Sequence, residues 1–184
     1  MMIRVLLTFL FFTLFNQVSV AALASKKGGT FVIRLFSQPP TLHPLSSQDS
    51  AASTIQSHVV DSLLDRNKDT YDWEPWLAES WSISKDGKTF TFKLRKNVKW
   101  SDGKPLTAED VKFSFDAVQN VEKYKTAHIK PYYDGIKSVT IKDPNTIVFE
   151  TKNTYFANFR TAASMSIIPK HVYENPSKKE KKKL

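Results

Sequence analysis

The chain has 184 residues, 41% of them hydrophobic and 12% aromatic, which is enough for a folded domain with a real core and argues against disorder. Cysteine is absent, which excludes a disulfide framework, a thiolate metal site and an acylated-cysteine anchor. The formal charge of +9 does not mark a nucleic-acid partner, because more than half of it belongs to Arg4 and the lysine-rich run 178–183, and no basic stripe with interleaved aromatics remains elsewhere.

The first 24 residues read as a signal peptide: Arg4 gives a basic start, residues 5–15 are apolar except Thr8 and Thr13, and Ala22-Leu23-Ala24 supplies small residues for cleavage near Ala24. The apolar run falls short of the roughly 20 residues that cross a bilayer as a helix, so an exported, soluble chain is expected. After the link Lys26-Lys27-Gly28-Gly29, residues 30–36 are β-branched and aromatic on both faces, which predicts a buried strand. Ser37-Gln38-Pro39-Pro40-Thr41 then leaves that strand, since consecutive prolines remove ladder donors. Ala52, Ile55, Val59 and Leu63 recur at helical spacing, predicting a helix over 49–62 with Asp49 or Ser50 as its cap.

The densest pattern lies further on. Trp81 and Ile83 alternate with serines, Phe90, Phe92 and Leu94 alternate with Thr91 and Lys93, and Asp86-Gly87 sits between them, which predicts a hairpin with one buried face. Ser101-Asp102-Gly103 makes a second turn. Thr107-Ala108-Glu109-Asp110 opens a helix whose Val111, Phe115 and Val118 form the inward stripe. A second hairpin is predicted over 136–151, with Ile136, Val139, Ile141, Ile147 and Phe149 in its strands and Asp143-Pro144-Asn145 as its turn. Pro169 can start a short helix at His171-Val172-Tyr173, after which lysines take over and predict a disordered tail over 178–184. The order strand, helix, hairpin, helix, hairpin predicts an α+β or mixed α/β layer with hairpins packed on helices, and no internal repeat is visible.

Leu77-Ala78-Glu79-Ser80-Trp81, Asp86-Gly87-Lys88-Thr89-Phe90-Thr91-Phe92-Lys93-Leu94-Arg95 and Val98-Lys99-Trp100-Ser101-Asp102-Gly103-Lys104-Pro105-Leu106-Thr107-Ala108-Glu109-Asp110-Val111 together carry a resemblance. In these segments the chain resembles the family 5 extracellular solute-binding proteins, the peptide and nickel-type receptors of ABC importers. The resemblance extends back to Gln38-Pro39-Pro40-Thr41-Leu42-His43-Pro44 and forward to Ile167-Ile168-Pro169-Lys170-His171-Val172-Tyr173, with Gln38 and His43 standing where the family pattern carries acids. It implies a partial lobe, over 25–177, of a two-lobed periplasmic-binding-protein-like fold that traps solute between closing lobes. It also implies a periplasmic monomer without cofactor or enzyme activity, capturing peptides or similar small solutes for an ABC permease in the inner membrane. The chain is several-fold shorter than such receptors, so it reads as a truncated amino-terminal portion that binds peptide weakly or not at all alone. The alternatives are a non-transporting exported interaction module or a non-functional remnant.

The resemblance places Ser37, Gln38 and Pro39 at the solute cleft, where an extended edge can add a peptide by main-chain hydrogen bonds; the same residues also read as a plain structural exit from a strand. Tyr124, in the loop after the second helix, resembles by position a cleft-lining aromatic and also reads as a packing or surface tyrosine. Trp81 and Trp100 alternate with polar neighbours as core aromatics do, whereas Trp73 and Trp76 flank Glu74-Pro75 without a clear pattern. His43, His58, His128 and His171 have no partner at metal-ligand spacing, so no metal site is expected. No nucleophile elbow or phosphate-cradling glycine loop appears, and Glu79, Asp86, Asp102, Glu109 and Asp110 are each accounted for by turns and helix starts. The lysine tail suits either an anionic surface or plain solvation.

Overall fold

A computed structural model describes residues 28–175, and the chain divides into two units at Arg34/Leu35. The leader and the lysine tail lie outside the described residues. In the first unit, residues 28–34 carry no secondary structure, and Phe31 is 88% exposed. The strand predicted over 30–36 is therefore absent, and Phe36, at the start of the second unit, is fully exposed as well. A strand that is apolar on both faces holds only when it is paired and covered on both sides, and no described strand pairs with this segment.

The second unit is α+β, and its first helix is short. Helix α1 (Ser50–Gln56) is capped by Asp49, whose carboxylate accepts from the amides of Ala51 and Ala52, as the sequence predicts. It stops six residues before the predicted end, leaving Val59 72% exposed. Ser53, Thr54 and Ser57 turn their hydroxyls onto backbone carbonyls of this helix, an alternative pairing that weakens helix propagation. Leu63 and Leu64 are buried but serve a small hairpin that the sequence reading does not contain, β1 (Leu64–Arg66) paired with β2 (Trp73–Pro75). Its connection is organised by Asn67, whose side-chain oxygen accepts from the amides of Asp69 and Thr70.

The main sheet joins both predicted hairpins. Strands β3 (Ala78–Ile83), β4 (Thr89–Leu94), β5 (Ile136–Asp143) and β6 (Thr146–Thr151) form an antiparallel sheet in the order β3-β4-β6-β5. Period-2 alternation points Phe90, Phe92 and Leu94 to one face, where Phe90 lies opposite Phe149 and Phe92 opposite Ile147. Ile136 and Val139 are three residues apart, so a regular strand would send them to opposite faces; a register shift between Ile136 and Ser138 returns both to the core. On edge strand β3 burial is less complete: Trp81 is half-buried against the core, and Ile83, expected on the buried face, is exposed. Gly87 adopts φ +67° in the β3–β4 turn, and a Cβ there would press on the Thr154 methyl at 3.0 Å. Asp86 caps the same turn; hydrogen bonds first from the Ser84 hydroxyl and then from the Lys88 amide hold its carboxyl below the usual range.

Helix α2 (Ala108–Gln119) packs Val111 and Phe115 over this face, while Val118 joins a neighbouring cluster. The capping box is present, with the Thr107 hydroxyl accepting from the Glu109 amide and the Asp110 carboxylate from the Thr107 amide at 3.0 Å. Asp110 does more than cap. Buried at the helix start, it takes the Lys170 amide on its other oxygen at 2.9 Å, and one turn later the Ser114 hydroxyl accepts from the Ile168 amide at 2.9 Å. The first two turns of α2 thus hold the segment that leads into the short helix α5 (Lys170–Tyr173), which starts after Pro169 as predicted. Between β6 and that segment runs a helix the sequence reading does not contain, α4 (Phe156–Ala163).

Replacing Asp110 by alanine removes a cap and a buried charge-assisted hydrogen bond together, with an expected loss of about 3 kcal/mol in urea unfolding. Asp110→Asn keeps one acceptor and should lose less; equal losses in the two variants would show that the second bond contributes nothing.

Candidate ligand-binding site

The site grows from the turn that follows the two prolines. The carbonyl of His43 accepts from the amides of Ser46 and Ser47, and its ring Nδ1 accepts from the Leu45 amide at 3.2 Å. These bonds close the chain into a turn that carries Pro44 and Leu45. Burial of the ring pushes the His43 pKa down from 6.5 to about 4, so at neutral pH it is the uncharged acceptor that the Leu45 amide requires. The ring stands edge-on to Tyr173 with centroids 4.8 Å apart, and Leu45 packs with Ala117, Val118, Tyr124 and Ile168 in a second apolar cluster.

Ile129 and Tyr133 lie against that cluster, and with Leu45 they form the apolar side of a cavity of about 220 Å³. Tyr133 ends a 3-10 turn, Lys130–Tyr133, that connects the short helix α3 (Val121–Tyr124) to β5, and Tyr132 of the same turn also lines the cavity. The other side comes from α4 and the chain after it, through Arg160, Thr161, Ser164 and Ser166. Burial raises the Tyr133 phenol from its usual 10 to about 12. Among the described residues the Arg160 guanidinium has neither a carboxylate nor a hydrogen-bond partner, and no acidic side chain lines the cavity.

Ser37 and Gln38 are exposed and Pro39 is half-buried, a few residues before the Pro44–Leu45 wall. The strand they were expected to leave is absent, so these residues belong to an irregular segment with a bend at Ser37. Tyr124 ends helix α3 rather than lying in a loop; it is only 6% exposed, and its hydroxyl donates to the Tyr173 carbonyl at 3.1 Å. None of the four lines the cavity, although Tyr124 belongs to the cluster beneath it. Trp73, Trp81 and Trp100 pack on the main core, and Trp76 donates its indole N–H to Asp61 at 2.7 Å. His171 is engaged with Asp102 at 2.7 Å, and no metal-holding group of three or more His, Asp or Glu side chains occurs among the described residues.

Arg160, Tyr132, Tyr133 and Ser166 escaped the sequence reading. A signal was available, because Arg160 is the single charged residue between Lys152 and Lys170. A lone arginine in an otherwise neutral stretch could have been marked; the tyrosines and serine join it only through folding.

The second unit is thus an antiparallel sheet covered by helices, with a half-apolar cavity beside them. The family model for bacterial extracellular solute-binding proteins, family 5 (middle region), matches residues 72–184, and the chain belongs to that family. The dipeptide-binding protein of Escherichia coli strain K12 is 32% identical over 150 residues, which are 73% of this chain and 28% of that protein. Among solved structures, the ABC transporter substrate-binding protein CtaP of Listeria monocytogenes superposes with a TM-score of 0.72 at 30% identity, over 84% of this chain and 32% of CtaP. Haemophilus influenzae OppA in complex with RPPGFSPFR gives a TM-score of 0.66 at 25% identity, over 75% of this chain and 30% of its own. The chain spans about a quarter of the length of the curated relatives it matches.

His43 gives the site a pH dependence whose sign follows from its lowered pKa. The unfolded ring takes up a proton below about 6.5 and the folded ring only near 4, so stability holds above that window and is lost as the pH falls through it, by at most about 3 kcal/mol. Thermal melts between pH 7 and pH 4 should show this decline. His43→Asn, which keeps an acceptor for the Leu45 amide but cannot titrate, should flatten it; an unchanged slope would remove His43 as the cause.

Proposed function

We propose that this chain contributes to the substrate receptor of an ABC importer, capturing peptides or similar small solutes and presenting them to a permease in the inner membrane. The observation that carries this reading is the family match over residues 72–184, laid on a sheet and helix arrangement shared with CtaP. The names of the relatives support the solute class, since the Escherichia coli protein is a dipeptide-binding protein and the Haemophilus influenzae structure holds a nonapeptide. In this reading the leader is removed near Ala24, the mature chain works as a monomer in the periplasm, and it binds solute without transforming it.

Ser37, Gln38 and Pro39 are the proposed main-chain contacts. Their exposure supports this, because a peptide can pair only with backbone groups that no neighbour occupies. Pro39 and Pro40 can offer carbonyls but no amides, so the peptide must supply donors at that point. Tyr124 is proposed as a support that fixes the Leu45 wall from below, through its bond to Tyr173, rather than as a surface the solute touches.

Titrating a pool of di- to pentapeptides at millimolar concentration into ¹⁵N-labelled chain 25–184 tests the reading, since amide shifts register weak binding. Saturable shifts are expected at Ser37 and Gln38 and at the amides around Leu45. A well-dispersed spectrum that no peptide moves even at millimolar concentration would overturn the reading of this chain as a part that contacts solute by itself, and would favour an exported interaction module or a remnant.

A further inference from the structure

The cavity between Leu45 and Arg160 has a chemistry more specific than its shape. Arg160, Tyr132, Tyr133, Thr161 and Ser166 line it, and among the described residues no hydrogen bond occupies the guanidinium or the hydroxyls of these side chains. The Ser164 hydroxyl, by contrast, is already engaged with the Arg160 carbonyl at 2.8 Å. A guanidinium can only donate, and it carries a fixed positive charge in a planar fork that matches two oxygens of one group. With no carboxylate lining the cavity, nothing in the wall neutralises that charge. A basic solute head would meet repulsion there; an oxyanion would meet donors.

Size narrows the ligand further. Sites for whole drug-sized ligands take roughly 300–1,000 Å³, and 220 Å³ is smaller than that. It suits an end group with a short apolar neighbour, which the Leu45 and Ile129 side would cover. We infer that this cavity is an oxyanion subsite, in which Arg160 receives the terminal carboxylate of a small solute, or a phosphate of the same size, while the surrounding hydroxyls donate to its oxygens. As a carboxylate subsite the inference rests on the receptor reading above and names the part of the solute this face holds.

The test uses chain 25–184 with ¹⁵N-labelled arginine side chains and three probes: trialanine, trialanine amide and inorganic phosphate. Trialanine should shift the Arg160 Nε–H resonance saturably and bind about tenfold more tightly than its amide, the factor a charge-assisted bond at a half-open site contributes. Arg160→Gln, at an exposed position and checked by an unchanged amide spectrum, should erase the difference between acid and amide. Equal affinity of acid and amide, together with no phosphate response at Arg160 beyond that of the exposed Arg34, would overturn the subsite. A saturable phosphate response without one to trialanine would keep the oxyanion subsite and reject a peptide terminus as its source. The two readings fail separately: shifts at Ser37 and Gln38 with no Arg160 response to any of the three probes sink the subsite alone, and shifts at Arg160 without Ser37 and Gln38 sink the main-chain contacts alone.

Discussion

The second unit depends on covering one apolar sheet face. Phe90, Phe92, Leu94, Ile147 and Phe149 lie on the two central strands and are almost wholly removed from water, which the strands cannot achieve by themselves. Helix α2 supplies Val111 and Phe115, and α4 with the chain after it supplies Ala162, Ala163, Met165 and Ile167. Phe159 completes the cover. Its ring lies 5.3 Å from Phe90, 5.9 Å from Phe92 and 5.7 Å from Trp73, so one side chain joins the main sheet to the small hairpin. Each such pair adds about 0.5–1.5 kcal/mol beyond area burial, so α4 contributes to the sheet's cover beside α2.

The same requirement positions the cavity. Because Phe159, Ala162 and Ala163 must face the sheet, Arg160 and Thr161 are carried round the helix away from it, toward the 3-10 turn and the Pro44–Leu45 wall. On the other side, Asp110 and Ser114 hold the backbone at Lys170 and Ile168, which fixes where the chain after α4 can run. The donors in the cavity are thus set by packing demands elsewhere, and the long, weakly hydrated arginine is left without a partner as a consequence.

Much of the sheet was legible because it is local. Alternation of period two, Asp86-Gly87 and Asp143-Pro144-Asn145 each act within a few residues, and Thr107 with Asp110 builds its capping box within one turn. The misses have equally specific causes. Residues 30–36 carry strand propensity but need neighbours on both faces, and propensity cannot say whether those neighbours exist. Val59 matches a helical period that the serine and threonine side chains of α1 interrupt by bonding its carbonyls. Helix α4 was hidden because residues 156–163 mix aromatics, alanines and one arginine with no side-chain cap to mark their start.

By itself the sequence determined the two main hairpins, the start of α2, the α+β class and the family, since each is written in short-range pattern or in motifs met in order along the chain. Only the tertiary structure decided that Tyr124 is buried, that Asp110 serves two segments 60 residues apart, and that Arg160 shares a cavity with Leu45 and Tyr133. The reason is physical: a hairpin turn is satisfied by its own neighbours, whereas burial, a second hydrogen-bond partner and a cavity wall exist only once distant parts of the chain have been brought together by the need to hide the sheet from water.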